Sequence, residues 1–268
     1  MAALKRLGGV DQGIGTDTLL LHGYGSDSLS WLLNQPALEP LGSLHAVDLP
    51  GHGSAGADVG DGRIDTLAAR VAQAVDAAGL TRLNLVGHSL GGAVALRLAQ
   101  DRPDLVGSLA LIAPAGLGKG IDAGFLDGYP ELDDPAQATA LMQRLVVQPR
   151  LIGRVLVARV LAQLAEPARR DALRRIARAL RDEADTLQAS ADAVAQIDPG
   201  TLPRLVVWGA HDAINPHDAA RLAGFGGQTV LAPEAGHLPH IESAKFVNEA
   251  LVAFLQARAA TRRDAALP

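Results

Sequence analysis

Residues Leu83–Ala99 read LNLVGHSLGGAVALRLA. An apolar run of strand length reaches Gly87-His88-Ser89-Leu90-Gly91 and gives way at once to small and apolar residues at helical spacing. A strand that turns this abruptly into a helix strains the residue at the corner, and flanking glycines remove the side chains that would clash there. Ser89 is therefore expected at the carboxyl end of a strand, exposed above a helix N-terminus. Orphan N–H groups and the positive end of the helix dipole would face an oxygen at that point, with the amide of Leu90 the first donor. Taken without its flanks, GxSxG is also compatible with a plain glycine-rich turn.

The same change of period recurs outward from this stretch. Strands are predicted at Thr18–His22, Leu44–Asp48, Arg82–Gly87, Ser108–Ala113, Leu205–Trp208 and Thr229–Leu231, each running up to Gly, Pro, His or Asp turn chemistry. Helices are predicted at Ile64–Ala78, Ser89–Gln100, Ala219–Ala223 and Ser243–Ala257. Alternation of this kind implies an α/β fold, a mostly parallel sheet flanked by helices. It breaks between Leu117 and Pro199, where Pro130, Pro135, Pro149 and Pro167 separate helical stretches. The domain reading is thus a core of residues 1–116 and 200–258, a helical cap over 117–199, and a disordered tail over 259–268. The cap arginines, among them Arg169, Arg170, Arg174, Arg175, Arg178 and Arg181, are read as a solvated helix face, with an anionic-ligand site the competing reading.

At 268 residues with 48% hydrophobic and 20% charged side chains, the chain has the content of one large globular domain. A net charge of −5 speaks against a nucleic-acid partner. With no cysteine there is neither a disulfide framework nor a thiolate metal site. MAALKRLGGVDQGIG at the N-terminus meets glycines before any useful apolar run, and no stretch approaches the roughly 18 apolar residues of a membrane span. A soluble cytoplasmic protein with a small-molecule ligand and no membrane partner is the expectation; oligomeric state is not readable. Neither HExxH nor a phosphate cradle occurs, so no metal and no cofactor is implied.

Acyl chemistry at Ser89 would need a second oxyanion donor, a base and an acid. His22-Gly23-Tyr24-Gly25, after the first predicted strand, offers the amide of Tyr24, although an ordinary βα turn fits the same residues. Chain order Ser, acid, His puts the base after the last strand. His237 in LAPEAGHLPHIES meets that, with His240 the runner-up. Asp212 in WGAHDAIN ends the preceding strand and would hold the imidazole in one tautomer. Asp218 suits a helix N-cap better. Trp31, Phe125, Leu126 and Tyr129 are candidate pocket walls, with core packing the competing reading for each.

HGYG, DLPGHGSA (Asp48–Ala55), VGHSLGGA, WGAHDAINP and EAGHLPHIE, in that order and with a cap between the third and fourth, resemble the α/β-hydrolase superfamily in its serine-nucleophile branch. Within it, LIAPAGLGKGI, VVWGAHDAINP and LAPEAGHLPHIESAKFVNEALVAFL are similar to the catalytic domain of the dihydrolipoamide acetyltransferase component of acetoin dehydrogenase complexes. That resemblance implies an N-terminal lipoyl domain, for which the seventeen or so residues before the first core strand leave no room, so an acyl carrier would be another molecule. It also implies an antiparallel hairpin before the HGxG strand, and here that edge looks trimmed. The expected function is a serine hydrolase cleaving an ester, thioester or related bond through an acyl-enzyme. Acyl transfer to a thiol such as dihydrolipoamide, hydrolysis of a C–C bond in a diketone, and non-catalytic ligand binding stay open as alternatives.

Overall fold

The computed structural model describes residues 1–9 and 17–265. Seven strands form one sheet: β1 (Ala3–Gly8), β2 (Thr18–Leu21), β3 (Leu44–Asp48), β4 (Leu83–His88), β5 (Val106–Ile112), β6 (Arg204–Gly209) and β7 (Gln228–Ala232), in spatial order β1-β3-β2-β4-β5-β6-β7. All pairings are parallel except β1 with β3. From β2 to β6 every strand residue is buried, as expected of a parallel sheet covered on both faces.

Alternate residues feed two cores. Leu19, Leu85, Leu109, Leu111 and Trp208 pack beneath the helices Ile64–Ala77 and Leu90–Asp101. Leu20, Val86, Ala110, Ile112 and Val207 face Val247, Leu251 and Phe254 of the C-terminal helix. A third apolar cluster lies in the segment between β5 and β6, whose helices are Ala123–Gly128, Pro135–Gln143, Arg154–Leu164, Pro167–Asp182 and Ala184–Ala195. Several of its arginines do more than meet solvent, which corrects the reading of them as a solvated face: Arg169 donates to the Gly51 carbonyl, Arg170 to the carbonyls of Leu164, Pro130 and Leu132, and Arg175 to the Gly60 carbonyl, while Arg174 grips Glu131 and Arg181 pairs with Asp127.

Two further expectations are corrected. The N-terminal edge is not bare, because Ala3–Gly8 runs antiparallel along β3 with Ala3 opposite Asp48. ALKRLG has no apolar alternation to announce a strand; Lys5 ties it down instead, its ammonium 2.5 Å from the buried Asp48 carboxylate. The last helix runs Ala244–Ala265, past Ala257 and into the stretch read as a tail, since no Gly or Pro interrupts it before Pro268. The remainder of that tail, residues 266–268, and residues 10–16 of the N-terminal reading lie outside the described residues. Among the described residues no helix is long and apolar enough to cross a membrane.

Candidate active site

Ser89 sits between β4 and its helix with φ 50° and ψ −112°, a conformation that costs an ordinary residue about 1–3 kcal/mol. The surroundings hold it there. Its N–H donates to the Ile112 carbonyl at 2.9 Å, and its carbonyl accepts from Ala93 and Ala115, each at 3.1 Å. Gly91 is required by contact rather than by φ: a Cβ there would lie 2.2 Å from the Leu21 carbonyl oxygen. The helix can therefore start close against β2, and its first amide, that of Leu90, has no partner within the helix.

His237 arrives from the loop after β7. Its Nε2 is 3.0 Å from Ser89 Oγ and its Nδ1 is 2.8 Å from Asp212 Oδ2. A carboxylate can only accept, so the imidazole proton is on Nδ1 and Nε2 offers its lone pair to the serine hydroxyl. Asp212, at the end of β6, is fixed on every side. Oδ1 accepts from the amides of Ile214 and Asn215 at 2.9 Å, and Oδ2 also accepts from Trp208 Nε1 at 3.0 Å. Asn215 in turn donates to the carbonyls of Ala113 and Pro114, joining this loop to the end of β5.

The HGYG loop lies against the serine, where a Cβ on Gly23 would be 3.4 Å from Ser89 Cβ. The amide of Leu49 donates to His22 Nε2 at 3.0 Å, which leaves the proton on Nδ1 to donate to the Gly23 carbonyl at 2.8 Å. Tyr129 donates to the Gly25 carbonyl at 2.7 Å and Tyr24 to the Leu173 carbonyl at 3.1 Å, so the loop is pinned to the cap twice. Burial raises both phenols, keeping them protonated donors.

Four further histidines are neutral for the same reason. Burial pushes His52 and His240 down to about 3 and lowers His22 and His88, the last also through its neighbours His240 and His237. His88 donates from Nε2 to the His237 carbonyl at 2.8 Å. His240, the alternative base, packs at a tilt between Trp31 and His88 and makes no hydrogen bond to Ser89.

A cavity of about 390 Å³ opens onto Ser89 and His237, walled by Tyr24, Phe125, Leu126 and Tyr129 among others. Trp31 is not among its walls, a correction to the expectation. It is wholly buried under the sheet with Leu38, Ala46 and Val247, because the turn Ser28–Trp31 points the indole inward and leaves Leu29, Leu32 and Leu33 at the opening. Asp218 caps Ala219–Phe225, accepting from Ala220 and Arg221.

Three participants carried no sequence signal of their own. Trp208 and Asn215 brace Asp212, as above. Glu242, quoted in EAGHLPHIE without a role, accepts from Gly236 at 2.5 Å through Oε2 and from Val147 and Gln148 at 2.7 and 3.1 Å through Oε1. With His237 donating its own amide to the Leu145 carbonyl at 2.8 Å, the histidine loop is clamped to the cap. Only the fold brings residues 145–148 to that loop.

A strained, buried serine whose hydroxyl faces Nε2 of His237 inside an apolar cavity can lose its proton to that ring as it attacks a carbonyl. The family model for the alpha/beta hydrolase fold matches residues 19–244, and the chain belongs to that family. It is 37% identical over 242 residues to the dihydrolipoyllysine-residue acetyltransferase component of the acetoin cleaving system of Pseudomonas putida, and 30% identical over 245 residues to that of Cupriavidus necator. Each alignment covers 90% of this chain and 64% of the relative, so the chain spans about two-thirds of their length. A pimeloyl-[acyl-carrier protein] methyl ester esterase of Pectobacterium carotovorum is 29% identical, over 90% of this chain and 95% of that one. Among solved structures, a meta-cleavage product hydrolase of Pseudomonas fluorescens superposes with TM-score 0.81 at 18% identity, covering 96% of this chain and 94% of the other. An enol-lactonase of Burkholderia xenovorans does so at 0.78 and 22%, covering 95% and 96%. At those identities the likeness is one of fold.

Proposed function

We propose that the protein is a serine hydrolase cleaving an ester or thioester of a modest apolar acyl group. Ser89 Oγ attacks the carbonyl carbon while His237 Nε2 takes its proton, and Asp212 steadies the imidazolium through Nδ1. The amides of Tyr24 and Leu90 hold the oxyanion. Collapse of the tetrahedral intermediate breaks the bond to the leaving oxygen or sulfur, which receives the proton from His237. Water then adds to the acyl-enzyme with the same base, releasing the acid and restoring the serine. No step calls on a metal or cofactor.

One observation carries this reading: the unbroken relay from Asp212 through His237 to Ser89, at 2.8 and 3.0 Å, at the floor of a cavity lined mainly by apolar side chains. A fluorophosphonate probe read by intact mass tests it. A single adduct on the wild type, absent in Ser89→Ala, is expected; no adduct on folded wild type turns the reading toward ligand binding.

Acyl transfer is the second reading, favoured by the 37% identity to an acetyltransferase component. The acyl-enzyme is the same and a thiol replaces water. Partition of one acyl donor between water and added dihydrolipoamide separates the two.

A further inference from the structure

Most of the cavity wall is aliphatic or aromatic, and its polar side chains sort by what already holds them. His88, Ser89, His237 and His240 belong to the reacting end, and the phenols of Tyr24 and Tyr129 are committed to the Leu173 and Gly25 carbonyls. The others are Ser26, Asp27, Ser30, Arg159 and Gln163. They come from two short segments that touch. Arg159 and Gln163 stand one turn apart on the cap helix Arg154–Leu164, and both donate to Asp27 Oδ2, Gln163 at 3.3 Å. Ser30 donates to the Asp27 carbonyl at 2.9 Å, and Ser26 precedes Asp27 in the chain. The polar groups away from the serine thus form a single patch, and a few polar groups gathered on an apolar wall are what orient a ligand in such a site.

The patch is charge-balanced. Asp27 is buried, with Oδ1 accepting from the Leu29 amide at 2.9 Å and Oδ2 shared by Arg159 and Gln163. A ligand carboxylate would have to draw Arg159 off Asp27 and leave two carboxylates side by side, and a ligand ammonium would face the guanidinium. The bonding capacity left over suits a neutral group. Arg159 spends one of about five N–H groups on Asp27, and among the described residues the Gln163 amide oxygen and the Ser26 hydroxyl have no partner. A hydroxyl both donates and accepts, so it matches this mixture, whereas an alkyl end would displace water from the patch and return no hydrogen bond.

We propose that this patch binds a neutral hydroxyl on the substrate, so that the ester or thioester cleaved at Ser89 is a hydroxylated one. The proposal rests on the acyl-enzyme reading and gives its substrate a second fixed point. The hydroxyl itself is unchanged: Ser89 Oγ bonds to the acyl carbon, and the leaving oxygen or sulfur departs with the proton from His237. The same contact serves a hydroxyl on the acyl chain or on the leaving alcohol, and the test tells these apart.

The test measures kcat/KM by pH-stat at pH 7 in two series. Methyl hexanoate, methyl 6-hydroxyhexanoate, monomethyl adipate and methyl 6-aminohexanoate differ at the far end of the acyl chain; hexyl acetate and 6-hydroxyhexyl acetate differ at the far end of the alcohol. Wild type is expected to prefer the hydroxylated ester over its plain counterpart by about tenfold in one series, and to disfavour the carboxylate and the ammonium against the hydroxyl. Gln163→Leu, which leaves the Asp27–Arg159 pair in place, and separately Arg159→Met are expected to bring the hydroxyl-to-plain ratio to about one. A ratio taken on one preparation is blind to any loss of folded enzyme. Binding is also read without turnover, by isothermal titration calorimetry of the hydroxylated and plain esters into Ser89→Ala protein, with and without Gln163→Leu. Equal kcat/KM for hydroxylated and plain esters in both series, a carboxylate or ammonium preferred to the hydroxyl, or a preference that both variants leave intact overturns the hydroxyl site. Failure of every ester together with failure of the fluorophosphonate label overturns the acyl-enzyme reading instead, and the calorimetry still decides the hydroxyl site.

Discussion

Acid should unfold this protein by a route written into its buried histidines. His52 and His240 are pushed from 6.5 to about 3 by burial, and His22 and His88 are shifted the same way. A group whose folded pKa lies below its unfolded value is protonated first in the unfolded chain, so its contribution is intact above 6.5 and is lost as pH falls toward 3. For each of the two histidines with a value of about 3, linkage gives a loss of about 2 kcal/mol by pH 5 and about 3 kcal/mol by pH 4. The pair alone therefore removes about 4 kcal/mol at pH 5, against a total stability of about 5–15 kcal/mol for a folded domain. The acid midpoint at 25 °C is expected between about pH 4 and 5, well above where carboxylate protonation alone would set it. Circular dichroism from pH 8 to 3 measures it. His240→Phe keeps an aromatic ring between Trp31 and His88, discards two ring nitrogens without hydrogen-bond partners, and should reduce proton uptake on unfolding by about one. A midpoint below pH 3, or an acid slope that His240→Phe leaves unchanged, refutes the reasoning.

Glu242→Gln places an amide N–H against at least one of the backbone donors that Glu242 accepts, and should cost about 1.5–3 kcal/mol while loosening His237. Differential scanning fluorimetry and kcat on p-nitrophenyl hexanoate read the two effects; a normal kcat with normal melting means the clamp is idle. Trp208→Phe removes one donor to Asp212 but leaves three, so a loss of about 1 kcal/mol in stability with modest change in kcat is expected, checked by urea melts and steady-state kinetics. Gly25→Ala puts a Cβ 2.4 Å from the Tyr129 ring at φ 71°, and should lower turnover by displacing the His22–Gly25 loop from Ser89; Gly25→Ala/Tyr129→Ala tests whether relieving the clash restores it. Asp48 is held well below the usual carboxylate range: burial pushes it up, but hydrogen bonds from Lys5, Ser54 and Ser28 outweigh that. Its contribution is present above 3.8 and lost below it, so Lys5→Met should flatten melting temperature against pH in the acid limb.

The order of strands and helices was legible because each parallel strand is a short apolar run bounded by turn residues, and each helix restores the 3.6-residue period. The positions of Ser89, Asp212 and His237 were legible for a related reason: residues at the carboxyl ends of parallel strands lie along one edge of the sheet, so chain order stands in for proximity. Ala3–Gly8 was not legible, because an edge strand held by backbone pairing and one ion pair needs no apolar pattern.

Tertiary structure alone decided what surrounds those residues. Local periodicity says which face of an element is apolar and nothing about which distant segment meets it, so Trp31 passed for a pocket wall until the turn Ser28–Trp31 was seen to bury it. The clamp from Glu242 to residues 147 and 148, the Trp208 indole on Asp212, and the Tyr129 bond to Gly25 each join residues whose separation in sequence or side-chain direction leaves no periodic trace. They arise where the cap folds back over the carboxyl edge of the sheet. Directional hydrogen bonds form only once packing has fixed both partners, which is why the order of Ser89, Asp212 and His237 along the sheet edge could be read from the chain and the contacts that support them could not.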